Sequence, residues 1–531
     1  MKKMLALLLA LVLVFGLVAC GGGSSTTETA TGLIDPATIP EEARYGGVLD
    51  MSSGSSADNF DPMYTTGWTS YLWSFPVYEN PIAQDDKGNF VPNACDLELS
   101  EDMLTLKLFP REGVTFHDGS PVEAEDIMAT VARSCALVPN VKKWFAGYFA
   151  ADPYIEDGKV VYTFTEFKVN TLMYFAGWQN WVGLMPKEVC EKYGENPIND
   201  PADCIGTGPY KLVNYQTNAL YALERYEGYV PSGVESTNYA GSKKAYLDKI
   251  NVWINPDPTS STMSLLNGDY DIGDVGADYM AMAEANGLVS EYDSAQNIAG
   301  MAFNTKGDRP VNDVNLRLAI AYALDYAQMS QAASEETIDE TCPMTGIYYT
   351  DVFNNAPYRG AADLEKAKEY LEKANYNGEE IILLSTGDDG KAIVWEANLK
   401  AAGINAKIEY MEWTTLKAYY ADNNNPYDCV FFYYETRDNA PCMISSTPRE
   451  KFWGSEKKDE LFSKISSLPA GSEESLAAWA EMADLWVEEC NVLNFCTVPA
   501  IITHHKDLVT NWPGLQTPWN TFWVNPEQHM N

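Results

Sequence analysis

Residues 433–441, YYETRDNAP, set Glu435, Arg437 and Asp438 close together behind Tyr433 and Tyr434. A guanidinium fork suits the bidentate grip of a carboxylate or phosphate, and flat amphipathic rings stack well on a solute. This is holding chemistry. The groups for breaking bonds are not assembled anywhere. The four histidines are His117, His504, His505 and His529, and there is no HExxH, GxSxG or Walker-type loop. GDDGK (387–391) follows an apolar run but lacks the length and the Ser/Thr of a phosphate-cradling loop. In a strand, adjacent His504 and His505 point to opposite faces and make a poor metal pair. Paired carboxylates abound because the whole chain is acidic, so no spaced catalytic couple stands out. The residues nominate no enzyme, no metal and no cofactor.

The element that presents this segment is YDCVFFYY (427–434), an apolar run with the look of a buried strand. Upstream of it, AADLEKAKEYLEKANY reads as an amphipathic helix, with Leu364, Ala367, Leu371 and Ala374 on one face and a Glu369–Lys373 pair on the other. Then follow the strand EIILLS, the helix KAIVWEANLKAAG closed by Gly403, the strand NAKIEYMEW and the helix TTLKAYYAD. Such a β-α-β-α-β succession predicts a parallel sheet, and open α/β sheets bind ligands beyond the carboxyl ends of their strands. Trp413 sits past one such end, and Tyr433 to Asp438 sit past the next. A shorter unit of the same kind is INVWINP, the Thr/Ser-capped helix TSSTMSLLNG and YDIGDV. The first third reads as mixed α+β: an opening strand YGGVLDMSS, a hairpin about DDKGN (85–89), the strands MLTLKLFP and KVVYTFTEF, and the helix VEAEDIMATVARSCAL.

The 531 residues leave room for several domains, and 75 acidic against 36 basic residues give a net charge of −39. So acidic a surface repels nucleic acid. Aromatics at 12% fit a protein that also lines a recognition surface with rings. The opening MKKMLALLLALVLVFGLVAC has two lysines and an apolar stretch shorter than the ~20 residues of a spanning helix, so it reads as a signal peptide (1–20). Its end, LVAC, resembles a lipobox, which makes Cys20 the lipidation site; the GGGSSTTETATG that follows begins a flexible tether over 21–44. Nine cysteines remain. Cys190 with Cys204 and Cys490 with Cys496 are near enough in sequence to pair, and otherwise cysteines serve as small buried hydrophobes.

Several segments together resemble one family. GGVLDMSS with NFDPM, FPREGVTFHDGSPVEAEDIMATVAR (109–133), GTGPYKLVNY (206–215), INVWINPDPTSSTMSLLNGDYDI and FNTKGDRPVNDVNLRLAIAYALD (303–325) are similar to the signatures of bacterial extracellular solute-binding proteins, family 5, the oligopeptide/dipeptide/nickel class of ABC importers. A scaffold role is expected for nearly all of these motifs: turn conformations at Gly206 and Gly208, a turn at Asp118-Gly119, and an acidic partner for Arg317.

The resemblance implies an α/β, two-lobed periplasmic-binding-protein-like fold of the large cluster C type, hinged by two crossing segments. Lobe I would comprise 45–77, 206–290 and 491–531, with an extra α+β subdomain at 78–205, and lobe II 291–490. It further implies a monomer outside the cell membrane, held there by lipid on Cys20, that needs no cofactor and hands a solute to an ABC permease. The same class takes peptides, metal chelates, haem, opines or oligosaccharides. Trp413 matches a tryptophan that lines the cleft of oligopeptide binders. Peptide binders end the next strand in a W..D…P pattern whose Asp holds the peptide amine; counting back from Pro441 puts Tyr434 at the Trp and Arg437 at that Asp. Three alternatives follow. Asp438 or Glu435 takes over the amine, Arg437 faces an anionic solute, or Tyr433, Tyr434, Trp413 and Trp73 stack a sugar. Ser53 to Ser55 offer hydrogen bonds from lobe I, and Trp68, Trp73, Trp178 and Trp181 are further aromatic candidates. A surface protein feeding a sensor in place of a transporter is the alternative function.

Overall fold

Strand β1 (Val48–Ser53) alternates as a half-covered strand should, with Leu49, Met51 and Ser53 buried and Val48, Asp50 and Ser52 partly open. The computed structural model describes residues 33–56, 59–64, 68–85, 89–138, 141–142, 145, 147–176, 182–236, 240–333, 355–387, 389–435, 452–469, 471–510 and 517–530. Of these, residues 68–70, 170–171, 277, 292–297, 413–414, 433–435 and 499–500 are described by their backbone only. Helix α1 (Trp68–Val77) follows β1. The expected hairpin forms between β2 (Ile82–Gln84) and β3 (Phe90–Pro92), with Gln84 opposite Phe90. Next come β4 (Cys95–Leu99), β5 (Thr105–Pro110), β6 (Tyr154–Glu156) and β7 (Lys159–Thr163), an antiparallel sheet in the order β4-β5-β7-β6. Helix α2 (Ala124–Leu137) packs on it and starts where the Asp126 carboxylate accepts the Glu123 N–H at 2.8 Å.

Beyond this layer, β8 (Tyr210–Gln216), β9 (Leu220–Arg225), β10 (Lys249–Ile254), helix α3 (Pro258–Asn267) and β11 (Ile272–Gly273) build out from β1. Both β10 and β11 run parallel to β1, which lies between them. The cap of α3 is Asp257, whose carboxylate accepts the Ser260 N–H, two residues upstream of the expected Thr/Ser pair; Gly268 closes the helix in the left-handed region. Two long strands then join everything: β12 (Leu288–Phe303) and, near the end of the chain, its antiparallel partner, with helix α4 (Val314–Ala323) and strands β13 (Ile381–Ser385), β14 (Ala406–Tyr410), β15 (Cys429–Glu435) and β16 (Val492–His505) completing the order. The main sheet runs β14-β13-β15-β12-β16-β11-β1-β10-β9-β8. Irregularities fall between Asp293 and Asn297 and between Ala299 and Gly300, where the β12–β16 ribbon changes register. His504 fastens this ribbon, its Nε2 2.7 Å from Glu291 Oε1 and its Nδ1 2.8 Å from the His505 carbonyl.

Apolar side chains collect on both sides of the ribbon. One core gathers Leu49, Met51, Trp73, Leu108, Tyr162, Ile250 and Val252. Two others flank the far end of the sheet, one with Phe303, Leu383, Trp395, Phe431 and Phe495 and one with Leu384, Phe432, Trp453, Trp479 and Trp486. Much of the aromatic surplus is therefore packing: Trp73, Trp395, Trp453, Trp486 and Trp523 are all fully buried.

The motifs serve the scaffold, with two corrections. Gly206 and Gly208 are not needed for turn conformations. A Cβ on them would meet the Val77 and Pro76 carbonyl oxygens at 2.1 and 2.2 Å, so close backbone approach is the reason. Arg317 has no acid partner among the described residues; it donates to the carbonyls of Glu489, Val311 and Asn312. Asp118-Gly119 is the expected turn, with Gly119 at φ 88°. All seven described cysteines, Cys190, Cys204, Cys490 and Cys496 among them, are free thiols.

His117 secures the Gly206–Gly208 segment. Its Nδ1 accepts the Gly206 N–H at 3.3 Å, and its Nε2 donates to the Gly208 carbonyl at 3.0 Å, which fixes the neutral tautomer. Burial lowers its pKa to about 4. The unfolded chain therefore takes up a proton near pH 6.5 that the folded protein refuses until about pH 4. This contribution to stability is full above 6.5 and is lost as the pH falls through that window. The residue is only partly buried, so the loss should be roughly 2 kcal/mol. Denaturant midpoints measured from pH 7 to 4, with the imidazole signal followed by NMR, check it: a ring that titrates near 6.5 in the folded protein refutes the assignment.

Candidate functional site

The strands β14, β13 and β15 are parallel, with Leu383 paired to Ile408 on one side and Cys429 on the other. All five residues of β13, IILLS, are buried, as befits a central strand. Helix α5 (Gly390–Ala401) carries the chain from β13 to β14 and lays Trp395 and Leu399 on one face of the sheet. Helix α6 (Trp413–Tyr419) leads from β14 to β15 and lays Leu416 on the opposite face. Past β15, the helices α7 (Glu456–Ser466) and α8 (Glu473–Glu489) join that second face through Leu461, Ile465 and Trp479. The described helices that come after β13 and after β15 thus lie on opposite faces. Adjacent strands whose connections part in this way open a crevice at their carboxyl ends.

A cavity of about 530 Å³ occupies that place. Leu384, Phe431, Phe432 and Leu416 supply apolar walls, Met411 and Glu412 close the side toward β14, and Ser385, Thr386, Gly387 and Asp389 form the rim above β13. Asp389 caps α5, its carboxylate accepting the Lys391 N–H at 3.0 Å and pairing with Lys391 Nζ at 2.9 Å. The buried Lys391 Nζ also lies 5.4 Å from the centre of the Phe431 ring. The Met411 N–H donates to the Ser385 carbonyl at 3.0 Å, tying the β14 end to the rim. Glu412 accepts the Thr415 N–H at 3.3 Å, opening α6. The pocket is mostly apolar, with a few fixed polar groups at its mouth, which is how solute sites are built.

Some expected site residues surround this pocket and others do not. Trp413 is the first residue of α6, directly beyond the Met411-Glu412 wall; its side chain lies outside the described residues. Tyr433, Tyr434 and Glu435 end β15, opposite Ala299, Ile298 and Asn297 of β12, and again only their backbone is described. Arg437 and Asp438 lie outside the described residues, as do Trp178 and Trp181, and Trp68 is described by backbone alone. Trp73 is a core residue: 1% exposed, stacked on Tyr221 at 5.5 Å and edge-on to Phe60 at 5.9 Å, because α1 packs its apolar face inward. Ser53 is buried, and its Oγ donates to the Ser55 carbonyl at 3.0 Å, so the hydroxyl is committed to shaping the loop after β1. Ser55 is exposed on that loop. Sequence pattern alone does not mark Ser385, Thr386, Asp389, Phe431 and Phe432 as site residues. GDDGK, a poor phosphate loop, carries one signal for the site, its position just past a buried strand.

Among the described residues no helix is long and apolar enough to cross a membrane, and no cluster of three or more metal-ligating side chains occurs. Comparison with known proteins gives one consistent result. A probable peptide ABC transporter periplasmic-binding protein of Sinorhizobium fredii is 24% identical over 67% of this chain and 68% of its own. The substrate-binding protein CtaP of Listeria monocytogenes superposes with a TM-score of 0.72 at 20% identity, covering 92% of this chain and 99% of that one. The periplasmic binding protein DppA of Helicobacter pylori, solved with a bound peptide, gives 0.70 at 19% identity over 91% and 99%. The model of bacterial extracellular solute-binding proteins, family 5, matches residues 65–448, and the chain belongs to that family.

Proposed function

We propose that the chain is the solute-capturing component of an ABC importer, that its solute is a peptide, and that it acts outside the cell membrane as a monomer held by lipid on Cys20. It has no catalytic role. The lobes are those drawn from the sequence: 45–77, 206–290 and 491–531 for the first, 78–205 for its extra subdomain, and 291–490 for the second. Separate apolar cores on either side of the β12–β16 ribbon favour this division. Solute that touches both lobes favours the closed state, and moving a mostly open population to a mostly closed one needs about 5 kcal/mol of differential binding.

One observation carries the reading: an apolar pocket with a polar rim at the switch point between β13 and β15, in a chain of this family. Apolar walls suit a peptide side chain better than a sugar, which wants open aromatic platforms and many hydrogen bonds. On this reading Asp438, or Glu435 in its place, holds the peptide amine, and Arg437 pairs with a neighbouring carboxylate. A thermal-shift screen of di- to pentapeptides against cello- and xylo-oligosaccharides and metal chelates tests it. A peptide at a hundred times its Kd adds about 2.7 kcal/mol of stability, a rise of roughly 2–4 °C in Tm or more. Asp438→Asn should then weaken that peptide about tenfold, while Arg437→Ala leaves it nearly unchanged. Shifts with oligosaccharides alone would overturn the peptide assignment, and a large loss with Arg437→Ala would favour an anionic solute.

A further inference from the structure

The end of the central strand holds an atom that the scaffold does not use. Ser385, the last residue of β13, is 2% exposed and lines the pocket, yet its Oγ has no hydrogen-bond partner. Its backbone carbonyl is satisfied by Met411. Among the described lining residues, Oγ is the one buried side-chain polar atom left so. A buried hydroxyl without a partner is unfavourable, and alanine would fill the same space without that penalty. Polar groups that a fold leaves unsatisfied at a pocket wall are the ones a ligand can satisfy.

The surroundings narrow the chemistry. The cation on the same side of the sheet, Lys391, is engaged by Asp389 at 2.9 Å and lies over Phe431. That cation is already matched, the other lining carboxylate, Glu412, accepts the Thr415 N–H at the start of α6, and the apolar walls are Leu384, Met411, Leu416, Phe431 and Phe432. What is left to satisfy is a neutral hydroxyl in apolar company. Resting on the peptide reading, we propose that Ser385 is a specificity-determining residue that recognises one neutral polar group, a hydroxyl or amide, at the end of an otherwise apolar solute side chain.

Sites built around a hydrogen bond reject the analogue that lacks it, because their own polar group is then stranded. The probes are alanine-based tetrapeptides carrying Tyr or Phe, and Thr or Val, at each position in turn, titrated calorimetrically into the full-length protein. Wild type should prefer the hydroxylated member at one position by about 5–20-fold. In Ser385→Ala the preference should collapse to less than about twofold, with affinity for the Phe or Val member retained and the unfolding temperature unchanged or raised. Ser385→Cys, similar in volume but a weaker donor, should give an intermediate ratio and serves if the alanine variant does not fold. Equal ratios in wild type and variants, or a wild-type preference for the apolar member, overturn the role of Ser385 while leaving peptide binding intact. Failure of every tetrapeptide to bind overturns the peptide reading and this inference with it.

Discussion

Gly206→Ala should destabilise the protein by about 3–5 kcal/mol or prevent folding. The added Cβ would stand 2.1 Å from the Val77 carbonyl oxygen and 2.9 Å from the Val77 carbonyl carbon, and neither is the end of a flexible side chain. The segment cannot retreat. The Gly208 N–H donates to that same Val77 oxygen at 2.9 Å, and the His117 N–H holds the Gly206 carbonyl at 3.0 Å. Relief would need the end of α1 to part from the start of β8. Gly276→Ala is the control, since no atom lies within 4 Å of its Cβ position and its φ is ordinary; it should unfold like wild type. Denaturant midpoints of the two variants decide the matter. A Gly206→Ala protein within 1 kcal/mol of wild type would show that the two backbones do not meet.

The second large effect belongs to Arg133. Its guanidinium grips Asp61 with Nη1 at 3.1 Å from Oδ1 and Nη2 at 2.6 Å from Oδ2, and it also donates to the carbonyls of Gly194 and Asn196. The side chains are 4% and 0% exposed. Arg133→Ala strands a buried carboxylate and two carbonyls, and should cost about 3–5 kcal/mol. Adding Asp61→Leu should recover only part of this, because Asp61 also accepts the Met63 and Ile198 N–H groups. The exposed Lys187–Glu191 pair, 3.6 Å apart, provides the contrast: Glu191→Ala should leave the midpoint unmoved. Equal effects at the two sites would mean that Arg133 and Asp61 are hydrated.

These residues also mark where sequence reasoning reaches and where it stops. The β13–β15 run was legible because each element carries a strong period: IILLS is wholly buried, and α5 ends where Gly403 follows. Trp413 and Tyr433 to Asp438 follow strand ends that the sequence makes visible at β14 and β15, whereas no local pattern singles out the end of β13. Which strand lies in the middle depends on pairing across dozens of residues, here Leu383 with both Ile408 and Cys429, and no local pattern encodes that. By sequence, Ser385 is an ordinary strand-ending serine for the same reason. Trp73 shows the opposite difficulty, since a tryptophan on a short helix reads the same whether it faces a cleft or Tyr221. The long strands β12 and β16 are not visible as strands in the sequence. Their alternation is interrupted at Asp293/Asn297 and Ala299/Gly300, and interruptions of that kind hide a strand from a search for period two.

The ribbon those strands form has a consequence for how the gene can be cut. β12 ends at Phe303 and β16 starts at Val492, side by side, with the Phe303 N–H donating to the Asn491 carbonyl at 2.9 Å. Everything between enters and leaves through one doorway. Residues 304–490 are in effect an insertion whose two ends already touch, so a turn of a few residues joining 303 to 491 closes the gap without stretching the chain. The same adjacency lets the inserted stretch be linked end to end and opened elsewhere, which makes it a natural unit for permutation and for exchange between relatives.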